Sequence, residues 1–135
     1  MHFTSLLAQF DDSELLAYTN ETIIAEKFQA MIFLADFNSR MKDFYDVYKL
    51  LDANYYNKNV LQNAIIATLK NRNTPYMDDH VLFTDEFKVD EDRNSMWKIY
   101  LNKINSKEKL TFEQVMQKIK SEIKPIWEKL NDESF

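Results

Sequence analysis

The sequence predicts an all-α protein, a compact bundle of about five or six helices built on an antiparallel helical hairpin. There is no glycine among the 135 residues, and glycine is the residue that tight β-hairpin turns most often need. Apolar residues recur in several long segments at the three- and four-residue spacing of an amphipathic helix. A hydrophobic content of 45% over this length is enough for one domain with its own core. We therefore expect residues 1–135 to form a single helical domain.

The first half of the chain contains the predicted hairpin. Residues 1–19 precede it, and the segment ELLAY within them is compatible with a short extended piece. A helix is predicted over residues 21–37, with Asn20 as its N-cap, and a second over residues 40–53. Only Asn38 and Ser39 separate the two, and so short a connection favours antiparallel neighbours.

The second half adds three helices and a short turn. Apolar spacing predicts helices over residues 58–71 and 91–105, and Thr84 is a candidate cap for a short turn between them. Thr111 and Gln114 match a capping box, which places the start of the last helix near Leu110 and its end near residue 130. Pro125 falls inside this helix, where proline removes a backbone hydrogen bond and favours a kink.

Composition excludes several classes of function. A formal net charge of −5 argues against a stand-alone nucleic-acid binder. The absence of cysteine excludes thiolate metal sites and cysteine nucleophiles, and the absence of glycine excludes Walker and dinucleotide-binding loops. No segment approaches the roughly 20 apolar residues of a membrane span, and the first residues do not have the pattern of a signal peptide, so we expect a cytoplasmic location. His2 and His80 are expected at an exposed terminus and in a loop.

Three charged residues interrupt the apolar faces of the predicted hairpin. Lys27 falls within the apolar arc of the first helix, whereas Arg40 and Asp43 lie on or beside the apolar face of the second. Burying a charge costs several kcal/mol unless it is paired. One explanation is a local Arg40–Asp43 pair, with Lys27 extending past its neighbours to solvent. The other is an anion site, in which Lys27 and Arg40 bind phosphate oxygens and Asp43 acts as a base or holds a metal ion. Spacing alone leaves both open.

Asp46 lies further round the second predicted helix, away from its apolar face. Lys42 and Lys49 are its neighbours at helical spacing, four residues before it and three residues after it. Pairs of this kind on a helix surface contribute about 0.3–0.5 kcal/mol each. We therefore expect Lys42 and Lys49 to form surface pairs with Asp46.

One block of the sequence is specific enough to suggest a family. Residues 25–50 read AEKFQAMIFLADFNSRMKDFYDVYKL and closely resemble a signature of the AbiEii/AbiGii abortive-infection toxins. These toxins are the nucleotidyltransferase partners in type IV toxin–antitoxin systems. The segments LQNAIIATLKNRNTP, LFTDEF, MWKIYL and FEQVMQKIKSEIKPIWEKL follow in the order found in the family, so the resemblance covers essentially the whole chain.

The resemblance implies roles for five residues. Lys27 matches the lysine of the family's third motif, and Arg40, Lys42, Asp43 and Asp46 match its fourth motif. In this family the third-motif lysine and a fourth-motif aspartate are needed for activity. Lys27 and Asp43 are therefore the expected catalytic residues, with Asp46 the alternative to Asp43. Arg40, Lys42 and Asp46 are the expected substrate-binding residues, and no metal ligand is expected in this chain.

The chain also departs from the family. The first two family motifs are a glycine-rich turn and a Gly-Ser followed by an Asp-x-Asp metal-binding pair, and a sequence without glycine cannot contain them in their usual form. We therefore expect the C-terminal helical domain of such a toxin, which lacks the catalytic α/β half and is inactive alone. The complete enzyme would need NTP and Mg²⁺, would act on RNA such as tRNA and would have a cognate antitoxin. The alternatives are a non-catalytic helical module that binds an antitoxin or another protein, and an unrelated structural protein.

Overall fold

The described part of the chain is entirely helical, which confirms the predicted fold class. The computed structural model describes residues 19–34, 40–76 and 80–130. These ranges contain no strand, one 3-10 turn at Val81–Phe83 and six α-helices. The helices are α1 (Asn20–Leu34), α2 (Met41–Ala53), α3 (Lys58–Asn71), α4 (Asp85–Val89), α5 (Glu91–Lys103) and α6 (Phe112–Lys129).

The helix starts lie within two residues of the predicted ones, and Thr84 forms its predicted capping bond. The predicted cap Asn20 is instead the first residue of α1, and Thr19 Oγ1 accepts the capping bond from the Thr22 N–H at 3.3 Å. Asn57, Thr84 and Asp90 each accept a hydrogen bond from the backbone N–H three residues later. Thr111 and Gln114 form the complete capping box at the start of α6. The proposed extended segment before Thr19 and the link between α1 and α2 lie outside the described residues. The antiparallel arrangement of α1 and α2 therefore stays a prediction, although the two helices pack against each other.

Asparagine takes the place of glycine where the backbone turns to positive φ. Asn54, Asn73 and Asn105 have φ angles of 59°, 51° and 55°, and each directly follows the end of a helix or lies within two residues of it. Asparagine tolerates this left-handed conformation better than most residues because its short polar side chain bonds locally. The absence of glycine therefore does not prevent sharp helix ends in this chain.

The core forms around α6, whose apolar face packs against α2 and α4 and also contacts α5 and α3. Trp127 packs edge-on against Phe28 of α1, with ring centroids 5.7 Å apart. At the start of α6, Phe112 packs edge-on against Phe44 of α2 at 5.3 Å. These aromatic contacts join the ends of α6 to α1 and α2 and fix the positions of the two helices that carry the charged residues.

His80 lies in a loop, as predicted, just before the 3-10 turn, and its side chain is buried. Its Nδ1 atom accepts a hydrogen bond from the Leu82 N–H at 3.1 Å, and its Nε2 atom lies 3.1 Å from the Ile32 carbonyl oxygen. This pattern fits a neutral ring whose Nε2–H donates to Ile32. His80 therefore caps the 3-10 turn and ties it to α1, while His2 lies outside the described residues.

α1 borders a cleft that it shares with its neighbours. α1 packs against both α2 and α3, and its residues Ile23, Glu26, Lys27 and Ala30 face a cleft between these neighbours. None of the helices in the described ranges is both long and apolar enough to cross a bilayer.

Candidate functional site

The cleft beside α1 is basic although the chain as a whole is acidic. It has a volume of about 640 Å³ and is lined by residues of α1 and α2, by Arg40 and by Arg72. Its charged lining consists of five cations and three carboxylates: Lys27, Arg40, Lys42, Lys49, Arg72, Glu26, Asp43 and Asp46. The cleft thus has a formal excess of two positive charges in a protein whose net charge is −5. Such a local concentration of cations favours an anionic ligand.

Lys27 projects from α1 toward two carboxylates of α2. Its Nζ atom lies 3.3 Å from Asp43 Oδ1 and 3.0 Å from Asp46 Oδ2. The Lys27 side chain is 25% exposed and that of Asp43 only 3%. Because the ammonium is held between two carboxylates, Lys27 does not simply extend past its neighbours to solvent.

Asp43 is buried at the start of α2, and only one of its two oxygens has a hydrogen bond. Oδ1 accepts from Lys27, whereas Oδ2 lies 3.2 Å from Arg40 Nε. Despite this short distance, Oδ2 has no hydrogen-bond partner within the described ranges, so its contact with Arg40 is electrostatic. The local Arg40–Asp43 pair expected from spacing is therefore present, but it leaves a buried carboxylate oxygen available for one more donor.

Asp46 holds a second lysine in the cleft, as the helical spacing predicts. Lys42 Nζ lies 2.5 Å from Asp46 Oδ2, one helical turn away, and this hydrogen bond raises the pKa of Lys42 above its usual value. Lys49 differs from the prediction, because it contacts Glu108 Oε2 at 2.6 Å and not Asp46. The hydrogen bond between them raises the pKa of Lys49 and lowers the pKa of Glu108.

Arg72 also belongs to this cleft, although the sequence pattern does not indicate it. It follows the last residue of α3, in a segment that the sequence marks only as the end of a helix. Its guanidinium contacts Gln29 Oε1 at 3.3 Å and Glu26 Oε2 at 3.5 Å, and both partners lie on α1. No local pattern signals this placement, because 43 residues separate Arg72 from Gln29.

The structure therefore brings all five sequence-predicted site residues to one place. Lys27, Arg40, Lys42, Asp43 and Asp46 all line the same cleft, and four ion pairs connect them. Their catalytic and binding roles stay predictions.

The carboxylates of the cleft do not form a metal site. Across residues 19–34, 40–76 and 80–130, no group of three or more histidine or acidic side chains could hold a metal ion. Asp43 and Asp46 both contact the Lys27 ammonium, which would repel a divalent cation. The donor set of this cleft suits a phosphate and does not fit Mg²⁺.

Comparison with known proteins identifies the family. The family model described as the nucleotidyl transferase AbiEii toxin of type IV toxin–antitoxin systems matches residues 1–118. No curated protein and no solved structure matches the chain. The family match spans most of the 135 residues and includes the whole cleft described above, in agreement with the resemblance of residues 25–50. The chain therefore belongs to the AbiEii family of nucleotidyltransferase toxins.

Proposed function

We propose that this chain is the C-terminal helical domain of an AbiEii-like nucleotidyltransferase toxin and that its basic cleft completes the nucleotide site. The observation that supports this most is the placement of Lys27, which is partly buried on α1 and directed at the carboxylates of α2. If only the stability of the fold mattered, an apolar residue would serve at this position, because a buried ion pair seldom stabilises a protein more than apolar packing does. A lysine at this position is explained by a need for positive charge in the cleft.

The cations of the cleft would bind the triphosphate of the NTP substrate. In nucleotidyl transfer the acceptor oxygen bonds to the α-phosphorus and pyrophosphate leaves. Negative charge therefore moves onto the leaving group, and fixed cations beside it stabilise the transition state. Lys27 supplies such a charge at the base of the cleft, and Arg40 and Lys42 supply two more at its rim, where their side chains are largely exposed.

Asp43 and Asp46 would have different roles. Asp43 is buried, and its Oδ2 atom has no hydrogen bond in the described part of the chain, so it could accept the proton of an acceptor hydroxyl as a general base. Asp46 is more exposed and contacts both Lys27 and Lys42. We therefore propose Asp43 as the catalytic aspartate and Asp46 as the residue that orders the two lysines before the substrate binds.

The remaining parts of the enzyme would come from outside this sequence. Nucleotidyltransferases generally use NTP with Mg²⁺, which neutralises phosphate charge. The cleft carboxylates do not fit Mg²⁺, and a chain without glycine lacks the family's Gly-Ser motif. We propose that an N-terminal α/β half carries the metal-binding aspartates and that the acceptor is RNA, for example tRNA. Membership of a type IV toxin–antitoxin family implies an antitoxin partner.

A reconstitution experiment tests this proposal. The 135-residue chain is mixed with a separately produced N-terminal half from an AbiEii-family toxin, and transfer of labelled nucleotide to RNA is measured with Mg²⁺ present. We expect transfer from the mixture and none from the chain alone. Lys27→Met and Asp43→Asn should each reduce the rate by roughly 100-fold, the usual loss for one transition-state contact. Lys98→Gln, which removes one exposed charge that does not line the cleft, should not change it.

Two results would contradict the proposal. Transfer by the chain alone, abolished by Lys27→Met, would show that no second half is needed. A mixture that binds no NTP would instead favour a non-catalytic module, and binding of a cognate antitoxin by the same chain would then be its expected activity.

A further inference from the structure

We propose that Arg72 is an additional phosphate-binding residue of the cleft and that Gln29 is the positioning residue that orients it. This inference rests on the proposed function and extends it to a residue outside the signature block, on a different helix from the other cations. Its ligand would be a phosphate group, either of the bound nucleotide or of the RNA acceptor.

The backbone around Arg72 is fixed. The Thr74 N–H bonds to the Leu69 carbonyl at 2.9 Å and the Asn73 N–H bonds to the Lys70 carbonyl at 3.1 Å. Together with the positive φ of Asn73, these bonds form a Schellman motif, a well-defined helix end. The Arg72 side chain therefore starts from a rigid turn at the edge of the cleft and does not hang from a loose loop.

A buried polar network holds the guanidinium from one side. Gln29 is 5% exposed and Thr74 is 6% exposed, and the Gln29 amide donates to Thr74 Oγ1 at 2.7 Å. Because a guanidinium can only donate, its contact with Gln29 fixes Oε1 as the end of the amide that accepts from Arg72 Nη1 and leaves the amide N–H for Thr74. Buried amides are costly unless satisfied, and a network of this kind at the cleft wall orders the arginine more than it stabilises the fold.

The contact between Arg72 and Glu26 is weak enough to be exchanged for a ligand. Arg72 Nη2 and Glu26 Oε2 are 3.5 Å apart, and both side chains are about half exposed, at 50% and 49%. Exposed ion pairs of this kind contribute little to stability. A guanidinium has five N–H donors, of which the contacts with Gln29 and Glu26 use one each. A phosphate would provide two oxygens for a paired interaction that a lysine cannot reproduce.

The test measures the binding of two probes to the purified 135-residue chain by calorimetry. One probe is inorganic tripolyphosphate, and the other is a single-stranded RNA with hydroxyl groups at both ends. Arg72→Gln should weaken binding of one probe by about tenfold, the loss expected for one charge-assisted hydrogen bond. Arg72→Lys keeps the charge but not the planar pair of donors, so its loss should be smaller. Lys98→Gln removes the same charge from α5 and should leave both affinities unchanged.

The pattern of losses identifies the source of the phosphate. A loss confined to tripolyphosphate assigns Arg72 to the nucleotide, and a loss confined to RNA assigns it to the acceptor. If Arg72→Gln and Lys98→Gln have the same small effect on both probes, the inference is wrong. If Lys27→Met still abolishes tripolyphosphate binding in that case, the proposed nucleotide site remains supported. If the unmodified chain binds neither probe, the inference about Arg72 is wrong, whereas the proposed function is decided separately by NTP binding of the reconstituted mixture.

A double-mutant cycle separates positioning by Gln29 from a merely structural role. Gln29→Leu should weaken probe binding less than Arg72→Gln does, because the guanidinium remains but is no longer oriented. The variant carrying both changes should bind no more weakly than Arg72→Gln alone, since Gln29 acts through Arg72. Additive losses would contradict this coupling. Circular dichroism of each variant at the titration temperature checks that it is folded.

Discussion

Removing Lys27 while leaving Asp43 in place should destabilise the protein, and removing both should not. The Asp43 side chain is 3% exposed and has two cations nearby, Lys27 Nζ at 3.3 Å and Arg40 Nε at 3.2 Å. Lys27→Met takes away the only hydrogen bond to this carboxylate in the described part of the chain. Breaking a fully buried ion pair costs roughly 3–5 kcal/mol. Because Arg40 stays and Lys27 is itself partly exposed, we expect a loss of about 2 kcal/mol, below that range.

The second half of this double-mutant cycle replaces the Asp43 carboxylate with an apolar side chain. Asp43→Leu alone should cost less than about 1 kcal/mol, because Lys27 keeps Asp46 at 3.0 Å and Arg40 is well exposed to water. In the Lys27→Met/Asp43→Leu variant no buried charge remains, and apolar replacements of buried pairs are often neutral or stabilising. We expect the double variant to be within about 1 kcal/mol of the unmodified protein, a coupling of about 2 kcal/mol between the two sites.

Urea denaturation at pH 7, followed by circular dichroism and tryptophan fluorescence, measures these free energies of unfolding. Lys42→Met is the matched control, because it removes a lysine that is 69% exposed and paired with Asp46, and should cost less than about 0.5 kcal/mol. If the double variant loses the sum of the two single losses, Asp43 does not depend on Lys27 and the argument that the pair is retained for function is refuted.

Four further predictions concern the cleft, the core and one helix start. Asp46→Asn removes a carboxylate that orders two cleft lysines and should weaken the binding of tripolyphosphate severalfold in calorimetric titration; tighter binding would mean that Asp46 competes with the anion more than it orders the site. Phe112→Ala empties a site among three aromatic rings and should cost about 3–5 kcal/mol in urea denaturation, unless the core collapses around the gap. Thr111→Ala removes the hydroxyl of the capping box and should cost about 1 kcal/mol, whereas Thr111→Ser should cost almost nothing. The hydrogen bond from Lys49 lowers the pKa of Glu108 below its usual 4.5, so the stability it adds is present at neutral pH and is lost as the pH falls below 4.5; Glu108→Gln should flatten the dependence of unfolding free energy on pH in this acidic range, and an unchanged slope would show that the pair is too exposed to matter.

The sequence determined the helices because the signals that start and end them are local. The α3 boundaries agree with the apolar spacing, and the caps at Thr84 and Thr111 form the predicted bonds. A capping bond joins residues three positions apart, and helical spacing repeats every three to four residues. Both can therefore be read from the order of residues. The same periodicity places Lys27 within an apolar face, so the order of residues is also enough to indicate where the site lies.

The tertiary structure decided which charged groups meet, since those contacts join distant parts of the chain. Helical spacing predicts that Lys49 pairs along its own helix, but it contacts Glu108, 59 residues away. Arg72 reaches Gln29 across 43 residues, and His80 bonds to Ile32 across 48. Such pairings depend on how the helices pack against one another, and the aromatic packing of α6 against α1 and α2 contributes to this. The sequence alone thus identified Lys27 and the charged residues at the start of α2, whereas the packing of the whole domain added Arg72 to the cleft.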